Sequence, residues 1–272
     1  MVEKALHLVR GFFGYLLELL RSRRLILDLT RREFRGRYLG SMFGLVWAFI
    51  HPAIMMLIYW VVFRTMRAGD IDGTKYVVWL LSGLIPWFFI NEAIAGGSMS
   101  VLDNRFLVKK VVFRVSLLPV VRLLTVVPVH LFFLGVIILI AWGYGTPPSI
   151  YYLQIPYFMA ATLIISLGIA LLTSALVPFF RDLSQIVMVI LQIAFWMLPI
   201  VWQPAIPAKY QWIVMIDPFY YIIRGYRESL IEHTWFWTQI PATLYFWTMA
   251  TLAVVVGGIV FHRLKPHFAD VI

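Results

Sequence analysis

The sequence predicts an all-α integral membrane protein. Its parts are an N-terminal amphipathic interface helix, six transmembrane helices, and a re-entrant helical hairpin between spans five and six. Three observations carry this. The 272 residues are 62% hydrophobic and 13% charged, with a mean hydropathy of +0.86, against about 25% charged in an ordinary soluble domain. Apolar stretches recur that approach the roughly 20 residues a helix needs to cross a bilayer. Between two of them, IDPFYYIIRGYRESL at 216–230 gathers four charges and three tyrosines, a composition that neither spans nor leaves the membrane cleanly.

The elements follow in order. Residues 4–21 place Lys4, His7, Gly11, Gly14, Glu18 and Arg21 at helical spacing with apolar residues elsewhere, the pattern of a helix lying on the membrane surface. A basic stretch, RSRRLILDLTRREFRGRY, completes a first region of residues 1–40. Its short apolar core has no cleavage-site pattern after it, so it does not read as a signal peptide. The transmembrane region, 41–261, holds spans near 41–63, 76–98, 115–142, 154–178, 185–201 and 240–261. Pro52 is expected to kink the first. The stretch 202–239 is too broken by proline and charge to cross and becomes the hairpin. Residues 262–272 form a tail.

Six spans put both termini on one side. If that side is cytoplasmic, it carries seventeen of the Lys and Arg residues and the opposite side six: Arg64, Arg67, Lys75, Lys209, Arg224 and Arg227. Positive charge is retained on the cytoplasmic side, so the bias supports this orientation; the chain is expected to be a multi-pass protein of the plasma (inner) membrane with both termini cytoplasmic. The net charge of +10 therefore sits in loops, where it sets topology, and implies no nucleic acid partner.

Several chemistries are excluded. There is no cysteine, hence no disulfide, thiolate metal site or thiol nucleophile. No G-x-x-x-x-G-K-[ST] occurs, so the chain cannot cradle ATP phosphates itself, and no H-E-x-x-H or paired-carboxylate site occurs among its scattered histidines and acids. No catalytic residues and no metal ligands are assigned. Glu92, in FFINEAIAGGS, is the one acid inside a span. An intramembrane acid is a functional candidate by default and supports a rival reading, a proton-coupled carrier. No His or Arg partner for it is evident in a neighbouring span.

On a helix starting near Asp217, residues Phe219, Ile222, Ile223, Tyr226 and Leu230 share one face. Tyr220, Arg224, Arg227 and Glu228 share the other, the wet one, with Arg224 and Glu228 an i,i+4 pair. Asp217 before Pro218 reads as a cap followed by proline in the first turn. Trp60, Trp79, Trp142, Trp202, Trp212, Trp235 and Trp237 fall where an outer aromatic belt is expected. The spacing of Gly40 and Gly44 in GSMFG suits close helix packing.

RREFRGRYLGSMFGLVWAFIHP, VWLLSGLIPWFF, FFRDLSQI, LPIVWQP, IDPFYYIIRGYRESL and FHRLKPHFADVI occur in an order that resembles the membrane subunits of ABC-2-type exporters of lipid-linked polysaccharides and teichoic acids. The likeness runs from about residue 30 to the end and leans toward the wall teichoic acid translocation permeases. That family more often has Asn where this chain has Asp217. The resemblance implies a homodimer of six-span subunits bound to two copies of a separate ATPase. ATP and Mg would act through that partner, with no cofactor on this chain. The cargo would be a polymer on undecaprenyl diphosphate, most closely wall teichoic acid, with O-antigen or capsular polysaccharide as the alternatives.

With that reading, Asp103, Arg105, Lys109, Lys110, Arg181 and Asp182 are the candidate ATPase-docking residues, Asp182 and Gln185 forming a capping-box arrangement. Arg31, Arg32, Arg35, Arg37 and Tyr38 are candidates for receiving the head group, because guanidinium pairs phosphate oxygens bidentately. The plainer role for these arginines is anchoring on anionic lipid. Trp47, Trp87, Trp196 and Trp247 are the candidate path-lining residues, and Asp217, Tyr220, Arg224, Arg227 and Glu228 the outer lid.

Overall fold

The computed structural model of the chain describes residues 21–37, 43–65, 75–109, 114–202 and 211–272. The helix expected at 4–21, and with it Tyr38, Gly40 and Lys110, lies outside the described residues. No strand occurs among those described. Five segments are long and apolar enough to cross a membrane: Gly44–Thr65, Tyr76–Asp103, Val115–Gly143, Ile150–Leu176 and Ile240–Val271.

The basic stretch before span one is itself a helix, α1 (Arg23–Gly36). Ile26 and Leu29 pack on Leu117 and Val121, while Leu25, Leu27, Arg31, Arg32 and Arg35 are exposed. The signal was present in the spacing of Ile26, Leu29, Thr30, Glu33 and Arg37, obscured by the density of arginine. Span one is α2 (Trp47–Thr65), entered through a 3₁₀ turn at Gly44–Val46, with Pro52 inside it.

Span two, α3 (Tyr76–Asp103), has 28 residues and is about 42 Å long, so it overshoots a hydrocarbon core of about 30 Å. It is the buried axis of the molecule. A short helix, α4 (Arg105–Val108), follows it.

Span three is two helices, α5 (Leu118–Leu124) and α6 (Val127–Gly143). Pro128 has no N–H for the carbonyl four residues back, at Leu124, and the chain breaks at Thr125 and Val126. At the break the Val126 N–H turns to the Leu123 carbonyl at 3.2 Å, and the Thr125 hydroxyl donates to the Arg122 carbonyl at 2.6 Å in its place.

Span four, α7 (Ile155–Leu176), packs closely on span six, α11 (Ile240–Leu264). Gly168 and Gly257 face each other there, and a Cβ on either would strike the other helix's backbone.

Span five, α8 (Leu183–Met197), has 15 residues and is about 22 Å long, shorter than the span expected to 201. Proline disfavours the α conformation in the residue before it. Leu198, preceding Pro199, is accordingly extended at ψ 142°. After it come α9 (Gln211–Met215), α10 (Pro218–Arg227), a π-helical turn at Glu228–Glu232, and His233 in the left-handed region at φ 54°.

The two ends of the bundle differ. At the basic end, Val101, Val108, Val115, Leu171, Phe261 and Phe268 form one cluster. It ties α4, the base of spans two, three, four and six, and the tail helix α12 (Phe268–Val271) together. At the other end α10 packs on spans two, four and six.

Candidate functional site

The hairpin helix α10 begins as its sequence dictates. The Asp217 carboxylate accepts from the Phe219 N–H at 2.8 Å, and Pro218 occupies the first turn. Phe219, Ile222, Ile223, Tyr226 and Leu230 are all buried. Gly225 admits the Phe158 ring where any side chain would collide with it. Tyr226, fully buried, reaches His130 in the middle of span three, with its hydroxyl 2.7 Å from Nε2. The His130 ring stacks on Phe89 at 4.3 Å between centroids. Its Nδ1 is buried without a hydrogen-bond partner among the described residues.

The other face of α10 is less wet than its composition suggested. Arg224 and Glu228 do pair, at 2.8 Å, and Arg224 is half-buried. But Glu228 is buried and accepts from Gln239 at 2.7 Å. Arg227 is buried too, lying over the Trp79 ring at 3.8 Å and donating to the Ile200 carbonyl at 3.1 Å. Tyr76 donates to the next carbonyl, of Val201, at 3.2 Å. These two bonds satisfy the backbone that Pro199 frees from span five. Trp79 is therefore a platform for Arg227 and not a belt residue, and Arg227 pins three elements together.

On the span-four and span-six side, Trp247 donates to the Tyr157 hydroxyl at 2.8 Å, and Tyr157 and Tyr221 share a bond of 2.8 Å. Tyr221 reaches Thr243 at 3.1 Å. Trp247 is thus engaged in holding the hairpin. Trp87 is buried against Phe195 and Phe219, so packing occupies the ring that was expected on a path. Trp196 is exposed on α8 and Trp47 on α2. Tyr220 is half-buried.

Between α1 and spans one to three lies a cavity of ≈ 430 Å³. Arg37, His51, Asn91, Glu92 and Thr125 make it polar at one end; Met56, Ile85, Phe89, Val129 and Phe133 line the rest, with Trp47 and Phe34 at its wall. Arg37 is the one candidate head-group arginine that reaches it. Its Nη1 donates to Glu92 at 2.9 Å and its Nη2 to the Thr125 hydroxyl at 3.0 Å. Glu33 takes Arg122 at 3.0 Å. Glu92 therefore has a cationic partner, supplied from the segment before span one. The break at Thr125 is what presents that hydroxyl.

At the basic end, Asp103, Arg105, Lys109, Arg181 and Asp182 are exposed, as are Phe106 and Phe180. Asp103 ends α3, and Asn104 takes the cap position of α4. Asp182 occupies the N-cap of α8, but its side chain makes no capping bond, so the capping box with Gln185 does not form. No group of three or more His, Cys, Asp or Glu suited to a metal occurs among the described residues.

Residues 24–231 match the family described as ABC-2 type transporter. The chain is 29% identical to an O-antigen export system permease protein of Klebsiella pneumoniae over 95% of its own length and 96% of the relative's. It is 24% identical to a permease of the same description from Myxococcus xanthus, over 93% and 97%. It is also 23% identical to a polysialic acid transport protein of Escherichia coli, over 86% and 90%. None of these is a teichoic acid permease, so the lean toward that branch is not supported. By the family match over residues 24–231 and its all-helical membrane architecture, the chain belongs to the ABC-2 type transporter family.

Proposed function

We propose that this chain is the membrane subunit of an ATP-driven exporter that carries a lipid-linked polysaccharide, of O-antigen or capsular type, outward across the inner membrane. The observation that carries this reading is the alignment, over 95% of this chain, with an O-antigen export permease, joined by a polysialic acid transport protein over 86%. The geometry supports it. The helix Pro218–Arg227 is packed into one end of the bundle, and an arginine-bearing cavity opens beside the helices at the other.

The basic end faces the cytoplasm, with both termini. Two copies of the chain form the conduit, because six helices of one copy enclose little space. Two copies of a separate ATPase supply the work, docked on 103–109 and 179–184, since this chain has no phosphate-binding loop. The Arg37 cavity receives the phosphate-bearing head of the carrier lipid. The proton-carrier reading loses its main support, because Glu92 is ion-paired and half-exposed and not an isolated acid in mid-span.

Affinity purification from its native cells tests the proposal. An approximately equimolar P-loop ATPase should come with the chain, and deleting the chain should leave lipid-linked polysaccharide on the inner face. Purification without any ATPase, together with unchanged surface polysaccharide in the deletion strain, contradicts it.

A further inference from the structure

Arg37 stands in the cavity wall with a carboxylate already on it. The two acids around it are not equivalent. Glu33 has a side-chain exposure of 19% and is shared with Arg122 at 3.0 Å, lying 3.7 Å from Arg37. Glu92 has a side-chain exposure of 49%, lines the cavity, and pairs among the described residues with Arg37 alone. Releasing Glu33 would strand a second arginine; releasing Glu92 returns a half-exposed carboxylate to water, which costs little. Arg37 also has an unused donor, since its Nε–H is buried with no acceptor. The group an incoming oxyanion can take over is Nη1, which now donates to Glu92 at 2.9 Å; reaching the buried Nε–H as well needs the guanidinium to turn toward the ligand.

The rest of the cavity defines what carries that oxyanion. Ile85 lies about two helical turns from Glu92 on span two. Phe133 lies a similar distance from Thr125 on span three. With Met56, Phe89 and Val129 they make the far part of the cavity mostly apolar; His130, which also lines it, has its Nε2 engaged by the Tyr226 hydroxyl and its ring stacked on Phe89. A polar end holding a guanidinium and an apolar end of this volume match a ligand with a charged head and a hydrocarbon tail. The cavity holds the head and the first part of a tail.

We propose that Glu92 is a displaceable counter-ion, holding on Arg37 the place that the phosphate of the carrier lipid takes when it enters the cavity. This rests on the export reading, which gives such an amphiphile a reason to enter. It adds a residue whose removal strengthens binding. Glu92 sets a threshold: a head group must out-compete a carboxylate to be held, so weakly charged lipid heads are passed over.

The test uses the full-length chain in nanodiscs, titrated with farnesyl diphosphate, inorganic diphosphate and farnesol in parallel. Wild type should bind the prenyl diphosphate about tenfold more tightly than either fragment, since each engages one end of the cavity. Glu92→Gln, which keeps the side chain's shape, should tighten prenyl diphosphate binding about fivefold, the fold-change equivalent of one partly exposed ion pair. Arg37→Gln should weaken it about tenfold or more. Unchanged or weaker binding in Glu92→Gln overturns the counter-ion role. Equal binding of inorganic diphosphate overturns the amphiphile assignment and points to free phosphate. Wild type that fails to export with its ATPase sinks the export reading alone, and a tighter Glu92→Gln then still supports the site.

Discussion

The Tyr226 hydroxyl lies 2.7 Å from Nε2 of His130, joining the hairpin helix to span three at the inner end of the cavity that Arg37 opens. Both residues are buried, and His130 lines the cavity. One hydrogen bond therefore links the two features that the export reading needs to communicate.

Tyr226→Phe removes that bond and keeps the ring. A neutral buried bond contributes about 1 kcal/mol, so thermal stability in detergent should fall slightly. The end of the bundle that holds α10 should loosen, seen as faster solute leakage from vesicles carrying the variant. His130→Phe combined with Tyr226→Phe should be no worse than the worse single variant, because both remove the same bond. Fully additive losses would show that the two side chains act independently.

Gly225→Ala places a methyl where the Phe158 ring sits. Overpacking of this kind costs about 1–3 kcal/mol, and here it acts on the hairpin's seat against span four. Export should fall severely with the chain still inserted, and Phe158→Leu in the same molecule should restore part of it. Wild-type export in Gly225→Ala would mean that the hairpin's seating is not required.

Arg227→Ala leaves the Ile200 carbonyl without its donor and the Trp79 face uncovered. A buried acceptor left unsatisfied costs about 1–3 kcal/mol. Leakage should rise more than in Arg224→Ala, since Arg224 is half-exposed and Glu228 keeps Gln239 as a partner. Equal leakage in the two variants would contradict the pinning role.

Arg105→Glu with Lys109→Glu reverses charge on an exposed turn beside Phe106. Expression and insertion should be unaffected, while stimulation of the partner ATPase and export are both lost. Retained stimulation would place docking elsewhere.

How far these features were legible depended on the range of the interaction involved. The Asp217–Pro218 start of α10 and its buried face follow from neighbours within one helix, and both appear in the structure as read. Arg224 with Glu228 is likewise an i,i+4 relation. Glu92 with Arg37 is separated by 55 residues, and no local pattern announces it. Arg227 looked wet because charge is normally solvated; the Trp79 face and the Ile200 carbonyl that hold it come from two other segments. The early end of span five was readable from Leu198 before Pro199, as was the break in span three from Pro128. Apolar run length outweighed both signals in setting the span limits. α1 was missed for the opposite reason, arginines masking a helical period of buried residues.

On the proposed function, this chain moves its cargo only when a separate subunit hydrolyses ATP. The direct measurement is transport of a fluorescently tagged lipid-linked polysaccharide in proteoliposomes, with and without the ATPase, ATP and a proton gradient. Transport requiring both ATPase and ATP, and indifferent to the gradient, is the predicted result. Transport by the chain alone, driven by the gradient and abolished in Glu92→Gln, would contradict it.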